Sequence, residues 1–428
     1  MNTMRMGITA LGTRGDIEPF AALAHALIAD GHEVRMSAPA DAADLVAAAG
    51  ATLVPMNLDV RSLLRSADGQ KWLASGDVRS RRLIPDTGDV TAGVLAVAEG
   101  ADVLMAGINT DDFAIAVSQA TGVRMIDCHV SPWLRTREFP NPIVSTARLR
   151  PRAVAAPVNL ATHRSAQRAY WQGRRDDVNA FRASLGLGAA PASAIGWLPR
   201  LNLTVLHAYS GEVVPRPRDW GPRNVLTGYW RLPHEARVRL DEAQLSSELA
   251  DWITDGPPPV FLGFGSMPVP DPAPLIELAV AAARRAGARV LIGAGWSELE
   301  DGSAELPSHA RVAGNVDHDW LFPRCQAVVH HGGAGTTAAG LIADCPTWVY
   351  SVFGDQPFWG CRLARLGVGG HEKFADLTAD GLTAALRHLA RDDVRARARA
   401  LGARLRRENG LALAVRAVTQ PEAMVPAS

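Results

Sequence analysis

The chain has 428 residues, with 44 basic against 44 acidic side chains, 47% apolar and 21% charged residues. That length accommodates two core-bearing domains, and the composition is that of an ordinary globular protein. A formal net charge of zero leaves no electrostatic case for nucleic acid or an anionic membrane as partner.

Residues 6–11 predict a buried strand, and residues 18–30 an apolar-periodic helix opened by Pro19 and closed by Gly31. Residues 33–37, 103–106 and 124–128 follow as strands, so strand and helix alternate as in a helix-covered parallel sheet. Between His207 and Pro233 the residues Pro215, Pro217, Gly221, Pro222 and Gly228 crowd a stretch without periodicity. This predicts an interdomain linker over 216–235. The alternation then restarts with strands at 260–263, 289–292, 327–331 and 346–350 and helices at 274–285 and 334–343. Residues 391–418 are Arg- and Ala-rich and helical, and 421–428 fray. The expected architecture is α/β, with two Rossmann-like domains facing a deep cleft. The first domain spans 1–215, the second 236–400, and a last helical segment 401–428.

The longest apolar candidate for a membrane span, residues 90–108, is interrupted by Glu99 and Asp102 and falls short of the ~20 apolar residues required. Arg14 and Asp16 directly follow the first apolar run, unlike a signal peptide. Cys128, Cys325, Cys345 and Cys361 show no Cys-x-x-Cys spacing, which predicts free thiols in a reducing compartment. The expectation is a cytoplasmic enzyme with no integral membrane association; oligomeric state is not legible.

The most informative stretch is His330-His331-Gly332-Gly333-Ala334-Gly335-Thr336-Thr337, followed by Gly354-Asp355-Gln356-Pro357-Phe358. A strand end, a glycine turn and a helix start present free backbone N–H groups and a positive dipole end to an anion. Glycines let the backbone approach that ligand closely. His331, Thr336 and Thr337 add side-chain donors, and Asp355-Gln356 suit hydroxyls beyond the phosphates.

This segment resembles the donor-binding motif of inverting, nucleotide-sugar-dependent glycosyltransferases of the GT-B fold, in the branch of sterol glucosyltransferases and bacterial antibiotic glycosyltransferases. Further stretches match in the family's order: Gly12-Thr13-Arg14-Gly15-Asp16, Ser131-Pro132-Trp133 with Thr136-Arg137-Glu138-Phe139-Pro140, Thr227-Gly228-Tyr229-Trp230, Leu262-Gly263-Phe264-Gly265-Ser266 and His318-Asp319-Trp320-Leu321-Phe322-Pro323. The resemblance implies a nucleotide sugar as co-substrate, no other cofactor, no metal, and a hydrophobic hydroxylated small molecule as acceptor. It implies a last helix that returns to the first domain.

By the same resemblance Asp16 is the general base, in place of the His that many relatives carry in this loop. Read from the residues alone, a carboxylate there either takes a proton or caps the helix behind it. The donor set implied is Thr13, Arg14, Gly265, Ser266, Trp320, His331, Gly333, Gly335, Thr336, Thr337, Asp355 and Gln356. Trp133 and Phe139, with the segment 56–83, are acceptor-side candidates, although as single residues each is more often core than pocket. Some relatives carry a Glu eight residues after the His to hold the ribose; here that position is Ala339. UDP and dTDP donors therefore both stay open. Asp317-His318-Asp319 forms an Asp-x-Asp, a metal motif elsewhere, within a segment that matches a metal-independent family. The expected reaction is sugar transfer to a hydroxyl of a lipophilic natural product. A nucleotide-sugar 2-epimerase and a non-catalytic nucleotide-sugar-binding protein are the rivals. A dehydrogenase is disfavoured because Gly12-x-x-Gly15 lacks the third glycine of the dinucleotide fingerprint.

Overall fold

A computed structural model describes residues 3–69, 87–144, 152–240, 246–264, 273–294, 306–314 and 316–421. The chain divides into two compact units: Met1–Pro233 together with Asn409–Ser428, and His234–Glu408.

The first unit is built on strands β1 (Arg5–Thr9), β2 (Glu33–Pro39), β3 (Thr52–Met56), β4 (Val103–Gly107), β5 (Arg124–His129), β6 (Thr204–His207) and β7 (Asn224–Leu226). They lie in the order β3-β2-β1-β4-β5-β6-β7, and every neighbouring pair is parallel. The second unit has β8 (Val260–Gly263), β9 (Val290–Gly293), β10 (Ala310–Ala313), β11 (Ala327–His330), β12 (Thr347–Ser351) and β13 (Gly369–Lys373). Their order is β10-β9-β8-β11-β12-β13, again all parallel.

All residues of β4 and of β11 are buried, as strands covered on both faces by helices require. In each sheet the order reverses once, between β1 and β4 and between β8 and β11. Loops leaving the strand ends at such a reversal diverge to opposite faces and leave a crevice at the carboxyl edge, where ligands bind in open α/β sheets. The turns carrying Asp16 and His331 leave β1 and β11, one at each reversal.

The first helix runs Arg14–Ala29, four residues earlier than periodicity predicted, because Thr13 in extended conformation starts it and Pro19 is tolerated inside. Residues 216–233 are a correction to the predicted linker. They belong to the first unit, where Asn224–Leu226 pair with β6. Trp220 stacks on His207 at 4.3 Å between ring centres, and its Nε1 donates to the Arg135 carbonyl at 3.0 Å. A three-residue edge strand is too short for periodicity to register, and the surrounding Pro and Gly read only as turns. The 391–418 stretch is two helices, Asp392–Leu405 and Gly410–Thr419. Asn409 starts the second by accepting a hydrogen bond from the Ala412 amide at 3.1 Å.

Helix Gly410–Thr419 packs on helix Arg14–Ala29 within the first unit, with Ala414, Ala417 and Val418 fully buried. A side chain at Gly410 would come within 2.6 Å of the Tyr229 carbonyl oxygen, so the approach is close. Ala414→Asp would bury an unpaired carboxylate there. It is expected to lower the unfolding free energy by roughly 3 kcal/mol in urea titration, a loss typical of an uncompensated buried charge; an unchanged midpoint would contradict this packing.

Candidate active site

In the first unit the chain leaves β1 through Gly12, whose φ is +145°. A Cβ at Gly12 would lie 2.3 Å from Asp16 Oδ2, so only glycine lets the carboxylate fold back over the turn. Asp16 is the third residue of the helix, and its Oδ2 accepts from the Thr13 amide at 2.8 Å and the Thr13 hydroxyl at 3.1 Å. The carboxylate thus caps the helix and is held in one orientation by two donors. It remains half-buried at the carboxyl edge of the sheet. Arg14 pairs with Glu18 one turn on, Nε to Oε2 at 2.8 Å. The loop after β4 braces this turn: Asn109 Nδ2 donates to the Leu11 carbonyl at 2.8 Å. Tyr170 and Arg174 in turn donate to the carbonyls of Ile108 and Asn109.

In the second unit β11 ends at His330, which is fully buried; its Nδ1 accepts from the Gly332 amide at 3.0 Å. Gly332 has φ +101°, and a Cβ there would lie 2.7 Å from Val349 Cγ1 and 3.0 Å from Gln356 Cβ. The glycine turn and the Asp355-Gln356 turn therefore abut, which the sequence motif implied only by resemblance. Gly333 caps the helix Ala334–Ile342. The amides of Ala334, Gly335 and Thr336 open that helix and have no carbonyl one turn back to receive them. The His331 ring lies over Gly333, where a Cβ would meet its Nε2 at 2.7 Å. Burial holds the His331 pKa down to about 4, so at neutral pH the ring is an uncharged hydrogen-bonding group.

Gln356 is buried, and its Oε1 accepts from the amides of Val352 and Phe353 at 2.7 and 3.1 Å. Asp355 caps helix Gln356–Leu366 and accepts from the Trp359 indole at 2.8 Å. Both side chains fix the second turn, and Gln356 lies against the first.

Other candidates are placed differently. Thr337 is fully buried, and its hydroxyl donates to the Gly333 carbonyl at 2.8 Å, so it holds the helix start; Thr336 is half-exposed beside it. Gly265 and Ser266 lie outside the described residues, as does much of the 56–83 segment. Trp320 packs on the second unit's core, and the Arg324 guanidinium sits 4.2 Å over its ring centre, so both a core contact and a cation already occupy it. Phe139 is a core residue: it is 5% exposed and tilted against His163, whose Nε2 faces its carbonyl at 3.2 Å. Trp133 is half-buried. Thr136 and the Arg137 amide donate to Asp219, so the segment read as a linker latches this acceptor-side stretch. Asp317 is nearly fully buried, caps the Asp319 amide and lies 3.6 Å from Arg237, which also reaches Asp319 at 3.4 Å. The Asp-x-Asp carboxylates thus face a guanidinium, and Asp317 Oδ1 serves as a cap.

Sequence reading missed the brace of Asn109, Tyr170 and Arg174, and a buried group of Asp111, Asp127 and His129. The alternation Asp127-x-His129 on a strand was the available signal for the second, since it puts both side chains on one face.

Two parallel Rossmann-like sheets, each with a glycine turn at its reversal point, define a GT-B glycosyltransferase, and the chain belongs to the family of sterol and antibiotic glycosyltransferases. Residues 6–84 match the N-terminal domain of glycosyltransferase family 28, and residues 281–415 the C-terminal domain of the erythromycin biosynthesis protein CIII-like group. A sterol 3-beta-glucosyltransferase of Arabidopsis thaliana is 32% identical over 444 residues, covering 99% of this chain and 70% of that one. The O-mycaminosyltylonolide 6-deoxyallosyltransferase of Streptomyces fradiae is 34% identical over 427 residues, covering 95% of each. Among solved structures, the glycosyltransferase of kitacinnamycin shares the fold with a TM-score of 0.70 at 21% identity, each chain covered fully. A Streptomyces sp. SF2575 glycosyltransferase complexed with thymidine diphosphate does so with a TM-score of 0.61 at 20% identity, over 97% of this chain and 99% of that one. Among the described residues, no helix is long and apolar enough to cross a membrane.

Gly332→Ala forces a side chain into a left-handed backbone and against Val349 and Gln356. It is expected to cost about 1–3 kcal/mol of stability and to weaken nucleoside diphosphate binding by at least ~10-fold, a loss of roughly 1.4 kcal/mol, read by urea unfolding and calorimetry.

Acid sensitivity follows from four histidines that desolvation holds neutral. His331 and His163 take a proton only near 4, and burial also holds His330 and His207 well below their usual value. Between about pH 6.5 and 4 the unfolded chain binds protons that the folded chain does not, so stability is full above that window and falls as pH drops through it. His331→Gln should reduce the slope of unfolding free energy against pH in this window by roughly one proton; an unchanged slope would mean that His331 is not held neutral.

Proposed function

We propose that this glycosyltransferase is an inverting O-glycosyltransferase that moves a sugar from a nucleoside diphosphate to a hydroxyl of a lipophilic acceptor. The observation that carries this reading is the second unit's turn. There a strand end and Gly332 in left-handed conformation, next to the amides that open a helix, abut Gln356 beside Asp355. That arrangement suits a pyrophosphate with a hydroxylated group beyond it. The amides, with the His331 ring as a neutral donor, stabilise the negative charge that collects on the leaving diphosphate.

Asp16 takes the acceptor's hydroxyl proton as that oxygen forms a bond to the anomeric carbon. The bond from that carbon to the diphosphate oxygen breaks on the opposite side, and the nucleoside diphosphate departs. One displacement inverts the anomeric centre and calls for a single carboxylate. The two Thr13 donors orient Asp16, and the Asn109 bond to Leu11 fixes the loop that carries them.

Ala339 is 7% exposed and packs in the second unit's core, so the position that carries a ribose-binding Glu in some relatives has no polar group. This supports a deoxyribose donor, dTDP-linked, over a UDP-linked one. Relatives named for sterol and O-mycaminosyltylonolide glycosylation support a lipophilic hydroxylated acceptor.

Asp16→Asn separates base from cap, because an amide oxygen still accepts from Thr13 while the side chain takes up no proton. Turnover is expected to fall at least ~100-fold, with thermal midpoint and nucleotide affinity kept. Turnover within a few-fold of wild type would remove Asp16 from the mechanism. Incubation with donor alone should leave the sugar unchanged; an epimerised sugar would favour the 2-epimerase reading.

A further inference from the structure

The first unit carries a second constellation that sugar transfer does not use. Asp127 and His129 alternate on β5 and so face the same side of the sheet, and Asp111 opens helix Asp111–Thr121 after β4. All three are at most 1% exposed. One donor atom from each lies within 4.8 Å of the others, and His129 Nε2 is 2.7 Å from Asp127 Oδ2.

Charge and hydrogen bonding do not close around this group. Asp112, also buried, faces it, giving three carboxylates. The guanidinium that faces them, Arg174, is 20% exposed and lies 3.3 Å from Asp112. Asp112 Oδ1 accepts from the Ala194 amide, and Asp111 Oδ1 from the Asp112 amide. Beyond the His129–Asp127 ion-pair contact, Asp111 Oδ2, Asp112 Oδ2, both Asp127 oxygens and both His129 nitrogens have no hydrogen-bond partner among the described residues. The helix N-terminus at Asp111 contributes about half a positive charge, short of what two further carboxylates require. Buried carboxylates are paired or coordinate metals.

We propose that Asp111, Asp127 and His129 form a buried site for one divalent transition-metal ion, Zn²⁺ in the first instance. Two carboxylate oxygens and an imidazole nitrogen suit that ion class. Bonds of ~2 Å at tetrahedral angles place ligand atoms roughly 3.3 Å apart, so His129 and Asp127, now 2.7 Å apart, open a little while Asp111 closes in on them. A fourth position falls to the second Asp111 oxygen or a water. The ion takes no part in sugar transfer. It ties the start of the helix after β4 to β5, and so the loop that holds Leu11 to the strand that leads into Ser131-Pro132-Trp133. The proposal is independent of the donor and base assignments above.

The test is element analysis of tag-free protein expressed with zinc and dialysed against metal-free buffer. About one zinc per chain is expected, falling at least ~10-fold in Asp127→Asn and His129→Gln, with circular dichroism unchanged. As a check that needs no variant, wild-type protein expressed without zinc should bind one Co²⁺ saturably and show visible d–d absorption of a low-coordinate ion. Zinc content near zero, no saturable Co²⁺ spectrum, or zinc retained in folded Asp127→Asn would each overturn the site and leave a protonated carboxyl beside a His–Asp pair.

Discussion

A glycine turn at the end of a buried parallel strand is the constraint on which the second unit's candidate site depends. β11 is buried throughout and apolar as far as His330, so it has to turn abruptly where it emerges. The turn must supply donors without side-chain bulk. Gly332 meets both demands: its left-handed backbone reverses the chain, and its missing Cβ lets the Gln356 turn close against it. His330 locks the turn from inside by accepting the Gly332 amide, and Thr337 locks the helix start by donating to Gly333. What faces outward is then mostly backbone. Because the donors are amides of a fixed turn, their orientation needs little reorganisation when charge develops.

The first unit solves a related problem at its own reversal point with a carboxylate in place of an anion-binding turn. Asp16 does what a bound anion would do at a helix start, accepting from the Thr13 donors. The cap fixes where the carboxylate points, which is compatible with the base role proposed for it. The support comes from far along the sequence, from Asn109 in the loop after β4 and from Tyr170 and Arg174, which hold that loop.

Periodicity and turn residues made much of this legible. The strands at 260–263 and 327–330 and the helix after Gly333 fall where apolar runs and glycines put them, because buried parallel strands are continuous apolar stretches. β7 escaped because three residues carry no period, and its Pro-rich approach looked like a linker until Trp220 and Asp219 are seen tied to Arg135, Thr136 and Arg137. Side-chain roles were less legible. Thr337 and Phe139 match motif positions, yet each turns inward, and a one-dimensional motif does not record which way a residue faces. Asp111, Asp127 and His129 are separated in sequence and meet only because β4 and β5 are neighbours.

The central claim is that the His331–Thr336 turn binds the diphosphate of a nucleotide donor. Calorimetry with dTDP and UDP, with EDTA and without added divalent metal, tests it most directly. The account predicts one site per chain, undiminished by EDTA, with dTDP bound more tightly than UDP. Absence of binding by either nucleotide, or binding only when a divalent metal is added, would contradict it.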